Sequence, residues 1–406
     1  MFLLIRRFAQ TVNWNSGWIV IPIAALLLFA SPWMLLGYIA ALGLYLCRWI
    51  AVGSPVPITR VNFLILILLV MVAVDWVYSP APDLAVLTGG QVMASVAIFF
   101  VLVDKIGSVS DLWRGAAALA IFGILAALVA PFTVTWSPDK VYGIPFFYET
   151  VWPHLPKLTN PNILAGALAP IVPVALAFIV QGDRRGRVLG AATLVPAVGM
   201  LLLLQSRGAL FALGAGLAIW ITLYNRWFLP LIPIGLLVVL YINQARGGPS
   251  PAQLFYGKIG TPTGGTLIER QDMWAQSVNL IRQSPILGIG LGAYPRVAPF
   301  AAPYSPAHPG FVAPHTHNLF LQVALDTGIF GLAAFVALLG AALWSAWRAV
   351  RAGFERHLGI AILAALTIIV VHGLGDTIVW GTAKSSIVLW MLLALATGLD
   401  KARKVV

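Results

Sequence analysis

Charge is what this sequence has least of. Only 9% of its 406 residues are Asp, Glu, Lys or Arg, only 13 are acidic, and 60% are hydrophobic. The mean hydropathy is +0.92. Soluble domains carry about 25% charged residues, so a soluble globular fold is excluded. Cysteine is nearly absent: Cys47 stands alone, which rules out an intramolecular disulfide. The strict alternation of apolar and polar residues that marks β-barrel strands is missing, and no convincing internal repeat is present.

What is there is a series of long apolar runs. In hydrocarbon every backbone polar group must be satisfied within the segment, so these runs are read as helices of an all-α integral membrane protein. Twelve transmembrane helices are predicted, at 17–31, 33–47, 61–78, 84–103, 112–131, 161–180, 188–205, 208–224, 227–243, 317–344, 358–373 and 383–399. Residues 1–16 read as a lead-in carrying Arg6 and Arg7. Ala30-Ser31-Pro32 faintly resembles a cleavage site, but the many spans that follow favour a retained helix. The whole chain, 1–406, is read as a single polytopic membrane domain.

The net charge of +12 does not point to nucleic acid, because the basic residues are spread over short connections between the spans. Arg6, Arg7, Arg48, Arg60, Lys105, Arg114, Arg184, Arg185, Arg187, Arg226, Arg348, Arg351, Arg356, Lys401, Arg403 and Lys404 share one set of connections, 16 of the 25 Lys and Arg. Excess Lys and Arg in short loops marks the cytoplasm. Both termini are therefore expected to be cytoplasmic, and two long connections, 132–160 and 244–316, to lie outside. A helix is predicted near 267–283 in the second. Thr266-Leu-Ile-Glu269 has the form of a capping box, Leu267, Trp274, Val278 and Ile281 recur at near-helical spacing, and Pro285 stops the run.

Four places carry polar chemistry against this apolar background. Ser206-Arg207-Gly208 interrupts two apolar runs near the outer surface. A cation there either snorkels to water or faces a cavity. Arg270 opens the loop helix beside Glu269 and Asp272, where an ion pair is the plain reading. Arginine also recognises phosphate through planar, bidentate hydrogen bonds, and two arginines from separate segments would suit a diphosphate. His315-Thr-His317-Asn318 lies where the long loop re-enters an apolar run, and Gly328-Ile-Phe-Gly331 follows Asn318 after nine intervening residues. Histidine is the usual general base near neutral pH. Two imidazoles would also suit a metal, but no Cys or acidic cluster in the sequence completes such a site, so none is expected. His372, Asp376 and Lys384 flank the last outer connection and are candidates to line the same cavity. Asp326 lies deeper, as an orienting group or an arginine's partner. Gly288-Ile-Gly290-Leu-Gly292 lacks the βαβ context of a dinucleotide fingerprint and reads as a turn returning the loop to the membrane.

Taken in order, Asn160-Pro-Asn162, Ser206-Arg-Gly208, Arg270 with Trp274, Pro285-Ile-Leu-Gly288-Ile-Gly290 and the His317 pattern resemble the bacterial O-antigen ligase and polymerase superfamily, over about residues 155–340. The resemblance implies a GT-C-like membrane glycosyltransferase working at the periplasmic side of the inner membrane. It would move a glycan, with inversion and without metal or cofactor, from undecaprenyl diphosphate to an acceptor hydroxyl. By position, Arg207 and Arg270 would hold the donor diphosphate and His317 would be the base. His315 has no counterpart in the family pattern; it, Asn318, His372 and Lys384 are candidate supporting groups on their place in the sequence alone. Within the family the compact chain, with one very long outer loop, favours a ligase acting on lipid A core. A polymerase and a protein O-oligosaccharyltransferase remain alternatives. A transporter of lipid-linked glycans is the rival from another class. It needs no base and places its polar groups near the bilayer midplane.

Overall fold

The structure, a computed structural model, describes residues 2–28, 32–136, 150, 154, 159–228, 230, 233–234, 237, 241, 244, 267–301, 312–381 and 385–404. It is helical almost throughout. Among the described residues the one β pairing is the single bridge between Val134 and Thr159.

The N-terminal third holds α1 (Phe2–Trp14), α2 (Ser16–Leu28), α3 (Met34–Val52), α4 (Asn62–Tyr78), α5 (Pro82–Lys105) and α6 (Val109–Thr133). The lead-in is thus itself a helix. It is bent 76° from α2, leaves Leu3, Leu4, Ile5 and Phe8 exposed, and packs on α3. An apolar, unburied helix set across the next span has the form of a helix lying in the membrane interface.

Next come α7 (Pro161–Leu168), α8 (Ile171–Gln181), α9 (Arg184–Leu204) and α10 (Arg207–Asn225). Side-chain caps start several of these: Asn160 accepts from Asn162 N, Asp183 from Gly186 N and Ser206 from Ala209 N, each satisfying an orphan N–H of the first turn. The predicted span 161–180 is interrupted at Ala169-Pro170, where α7 gives way to α8.

The outer loop contributes α11 (Leu267–Gln283) and α12 (Tyr294–Ala301), and the chain ends in α13 (Leu319–Arg351), α14 (Arg356–Gly373) and α15 (Ser386–Arg403). Among the described residues, eight helical segments are long and apolar enough to cross a membrane, and the bent α1–α2 pair is a ninth candidate. α4 is shorter, and α15 ends in the charged run Asp400-Lys401-Ala-Arg403. The predicted span 227–243 lies mostly outside the described residues, as do the capping-box side chains of Thr266 and Glu269, and Lys384.

α5, α14 and α15 form the centre, buried on nearly all sides as their uniform apolarity requires. Polar contacts sort to the two ends. At one end Arg48 pairs with Asp104 at 2.8 Å, Trp113 Nε1 and Gln181 Nε2 both donate to Glu355, Arg356 donates to Leu223 O, and Arg348 pairs with Asp400. This end gathers the basic connections grouped together in the sequence. The opposite end carries the outer loop and the site.

Two departures from expectation position that site. The buried face of α11 is Met273, Gln276, Ser277 and Leu280, while Val278 is exposed. The helix is held by polar as well as apolar contacts. It packs on α13 and α12, and its buried Gln276 donates to Ala298 O and accepts from the Tyr294 hydroxyl. The glycine-rich segment does more than turn. It inserts its backbone into a break in α13, where Gly328 adopts φ 61°, ψ −172°. Ile329 N donates to Pro285 O and Ile289 N to Leu325 O. A Cβ on Gly328 would lie 1.8 Å from Ile286 O, so no other residue fits.

Candidate functional site

Four segments converge at this end: the start of α10, the first turn of α11, residues 312–318 before α13, and residues 372–381, the last residues of α14 and the segment after it. Gln205 in the left-handed conformation (φ 48°) closes α9, and the Ser206 cap makes the exposed Arg207 the first residue of α10. Gly208 then packs so closely on the His372 ring that an added Cβ would lie 3.1 Å from its Cδ2. Arg270 reaches over Gly375, with Nη1 3.5 Å from where a side chain there would begin. It acts electrostatically on Arg207, His315 and His372. Two polar atoms of this group, Arg270 Nε and His372 Nδ1, are buried without a hydrogen-bond partner. Buried polar atoms are normally satisfied, so these fit a site that takes a polar ligand.

The centre is a His-Asp pair. His317 Nδ1 lies 3.0 Å from Asp376 Oδ1. His315 Nδ1 lies 3.9 Å from the same oxygen and accepts from His317 N at 3.3 Å, with the two rings 4.3 Å apart. Asp376 Oδ1 also accepts from Thr377 N at 2.8 Å. Burial alone would raise the Asp376 carboxyl, but the hydrogen bond from His317 and the surrounding imidazoles hold it well below the usual carboxylate range. Burial, the neighbouring His317 and Arg270 push His315 down to about 4, against the pull of Asp376. It is a neutral imidazole at neutral pH.

His317 is held at strain. Its φ of 51° lies in the left-handed region, uncommon for a residue with a side chain and typical of functional positions. Its carbonyl accepts from Trp274 Nε1 at 3.3 Å, so α11 grips the backbone while Asp376 grips the ring. Asn318 is an architectural residue. Its Oδ1 accepts from Phe320 N and Leu321 N as the cap of α13, and its Nδ2 donates to Leu374 O at 3.1 Å. That bond ties the α13 start to the segment bearing Asp376.

Behind the pair a buried relay sets the backbone. Asp326 is fully buried and accepts from Gln322 Nε2 (3.1 Å), Trp380 Nε1 (2.9 Å) and Gly292 N (3.1 Å). Gln322 Oε1 accepts from Thr316 N at 3.0 Å, between the two histidines. Of the two roles open to Asp326 in the sequence, it takes the orienting one. A cavity of about 590 Å³ opens beside this relay, with His315, Asp326 and Thr377 on its wall.

The structure thus brings together Arg207, Arg270, His315, His317, Asn318 and His372. Asp376 is the residue that sequence reasoning underweighted: it is 59 positions from His317, and no local pattern announces the pairing. It also supplies the acidic group that the two histidines lacked for a metal site. The ligand atoms of His315, His317 and Asp376 all lie within 4.8 Å of one another, a donor set of the kind that binds a transition-metal ion.

Fold and site define a polytopic membrane protein with a cationic His-Asp centre at one end of its helix bundle. Residues 191–336 match the family model described as O-antigen ligase. This stretch contains Arg207, Arg270, His315 and His317, while His372 and Asp376 lie beyond it. The chain is also 24% identical over 277 residues to the exopolysaccharide production protein ExoQ of Rhizobium meliloti (strain 1021), covering 64% of this chain and 60% of that relative. The match therefore spans about 60% of the relative's length. Over these stretches the chain is similar to the O-antigen ligase family and to an exopolysaccharide production protein.

Proposed function

We propose that this protein is a glycosyltransferase that moves a glycan from undecaprenyl diphosphate to an acceptor hydroxyl on lipid A core. The observation that carries the reading is the 3.0 Å contact between His317 Nδ1 and a buried, anionic Asp376. A carboxylate at Nδ1 holds the tautomer protonated there, which leaves Nε2 to accept a proton. The acceptor oxygen attacks the anomeric carbon as its proton passes to His317 Nε2. The bond from that carbon to the diphosphate breaks, and the electron pair leaves with the lipid diphosphate. Arg207 and Arg270 stabilise the charge that develops on the leaving group. His372, wedged against Gly208, positions the first turn of α10.

The basic connections at the far end support a cytoplasmic side for that end by the positive-inside rule, which in this reading turns the site toward the periplasm. A charged centre at the membrane edge favours an enzyme over a transporter with a midplane site. The relative's role in exopolysaccharide production favours a second acceptor, another lipid-linked glycan, which would make the protein a polymerase.

The test is transfer by purified protein from undecaprenyl-diphosphate glycan to lipid A core and, separately, with donor alone. A new product on lipid A core that His317→Ala abolishes is expected. A ladder of longer donor instead would make it a polymerase, and full activity in His317→Ala would remove that residue from the mechanism. Arg207→Ala and Arg270→Ala should each weaken donor binding, whereas His317→Ala should leave it nearly intact.

A further inference from the structure

The cavity beside the His-Asp pair is larger than the chemistry at His317 requires. Its volume of about 590 Å³ falls within the usual range of ligand pockets, about 300–1,000 Å³. Its wall mixes apolar surface from Trp380 with His315, Gln322, Asp326, Thr88 and Thr377. Two of these hydroxyls, Thr88 Oγ1 and Thr377 Oγ1, are buried and bond to nothing in the protein, on residues only 1% and 2% exposed. Leaving a buried hydroxyl unmatched is unfavourable, so their presence on a cavity wall calls for a hydrogen-bonding occupant. Asp326, held by three hydrogen bonds, sets its carboxyl group behind the same wall.

We propose that this cavity binds the sugar ring of the acceptor that bears the attacking hydroxyl. The inference rests on the glycosyl-transfer reading above. Hydroxyls, an amide and a carboxylate set around apolar surface match a polyhydroxylated ring, which offers both donors and acceptors at every edge. The side of approach separates acceptor from donor. Neither Arg207 nor Arg270 lines the cavity, whereas His315, whose ring touches that of His317, does. In a displacement with inversion the nucleophile and the leaving group stand on opposite sides of the anomeric carbon. With the diphosphate on the arginines, the cavity lies on the nucleophile's side. Thr377 directly follows Asp376, so the loop that fixes the base also contacts the group to be deprotonated. The mouth holds Val312, 47% exposed, and Arg296, which pairs with Asp83 at 3.3 Å.

Two independent variants test this. The double substitution Thr88→Val with Thr377→Val keeps the side-chain shapes and removes hydroxyls that have no protein partner. Val312→Trp narrows the mouth without touching the His-Asp pair. With saturating donor, both should raise the acceptor KM about tenfold or more and leave donor Kd unchanged. An unchanged acceptor KM in both variants overturns the proposal. So does weakened donor binding with no change for the acceptor, which would give the cavity to the donor glycan. If the wild-type protein transfers nothing, the functional reading fails and binding still decides the cavity. Saturation-transfer NMR without donor would use delipidated lipid A core oligosaccharide and, separately, the free repeat-unit oligosaccharide. Binding of either that both variants weaken supports a sugar site and says which source fills it. No binding of either overturns it.

Discussion

At the residue scale, two groups on neighbouring segments divide the work of the centre. Asp376 is anionic and His315 neutral, for opposite reasons: hydrogen bonding wins over burial at the first, and burial wins at the second. Asp376→Asn keeps the shape of the contact but removes the charge that stabilises an imidazolium. It should reduce transfer by about 10²-fold or more with little change in donor affinity, as read from initial rates and donor titration. His315, His317 and Asp376 are also placed to hold a metal ion. In the acid-base reading, exhaustive chelation leaves the rate unchanged; activity lost on chelation and restored by zinc would make the cluster a metal centre. His315 gives a pH dependence of stability. Its folded value, about 4, lies below its ordinary 6.5, so between these limits the unfolded chain binds the extra proton. Stability from this group is therefore present above about pH 6.5 and lost as pH falls toward 4. The thermal midpoint should fall over that window in wild type, and less in His315→Gln.

At the element scale, α13 is the piece whose irregularity builds the site. Its break at Gly328 lets the segment from Pro285 to Gly292 insert backbone groups, and Asp326, two residues before the break, accepts from Gly292 N and Trp380 Nε1. A side chain at Gly328 would meet a carbonyl oxygen and also bear a positive φ. Gly328→Val should cost the backbone about 1–3 kcal/mol from strain, before the clash is counted. It should lower the thermal midpoint and loosen the outer loop to limited proteolysis together; a variant as stable and resistant as wild type would show that the insertion is dispensable. The two glycines that follow His317-Asn318 in the sequence pattern thus have a backbone reason at the first position. α11 teaches a related lesson. Its extent was legible from spacing and Pro285, but its buried face was not. A 17-residue helix with few strong apolar residues buries whatever its neighbours can satisfy, here a glutamine.

At the scale of the whole molecule, the ends of the bundle differ in chemistry. Ion pairs and basic residues hold one end, and the cationic His-Asp centre occupies the other. Because Cys47 is the sole cysteine, sidedness is directly measurable. In a Cys47→Ser background, Arg296→Cys should react with a membrane-impermeant maleimide in spheroplasts, while Arg184→Cys should react after lysis alone. The reverse pattern would invert the topology and move the site to the cytoplasm.

Composition by itself determined the solvent. With 9% charged residues and long apolar runs, the chain has nowhere to be stable but a bilayer, and there only helices satisfy the backbone within each segment. Helix starts at Asn160, Ser206 and Asn318 were equally local matters, because a cap acts within three residues of itself. The arginines and histidines were legible because charge stands out against an apolar background. Only the tertiary structure decided what each of them faces. The pairing of His317 with Asp376, the relay from Asp326 to Thr316 and the cavity between α5 and the 374–381 segment join residues far apart in the chain. Such contacts depend on how helices pack, and in a membrane protein nearly every helix face is apolar, so periodicity carries little record of which faces meet.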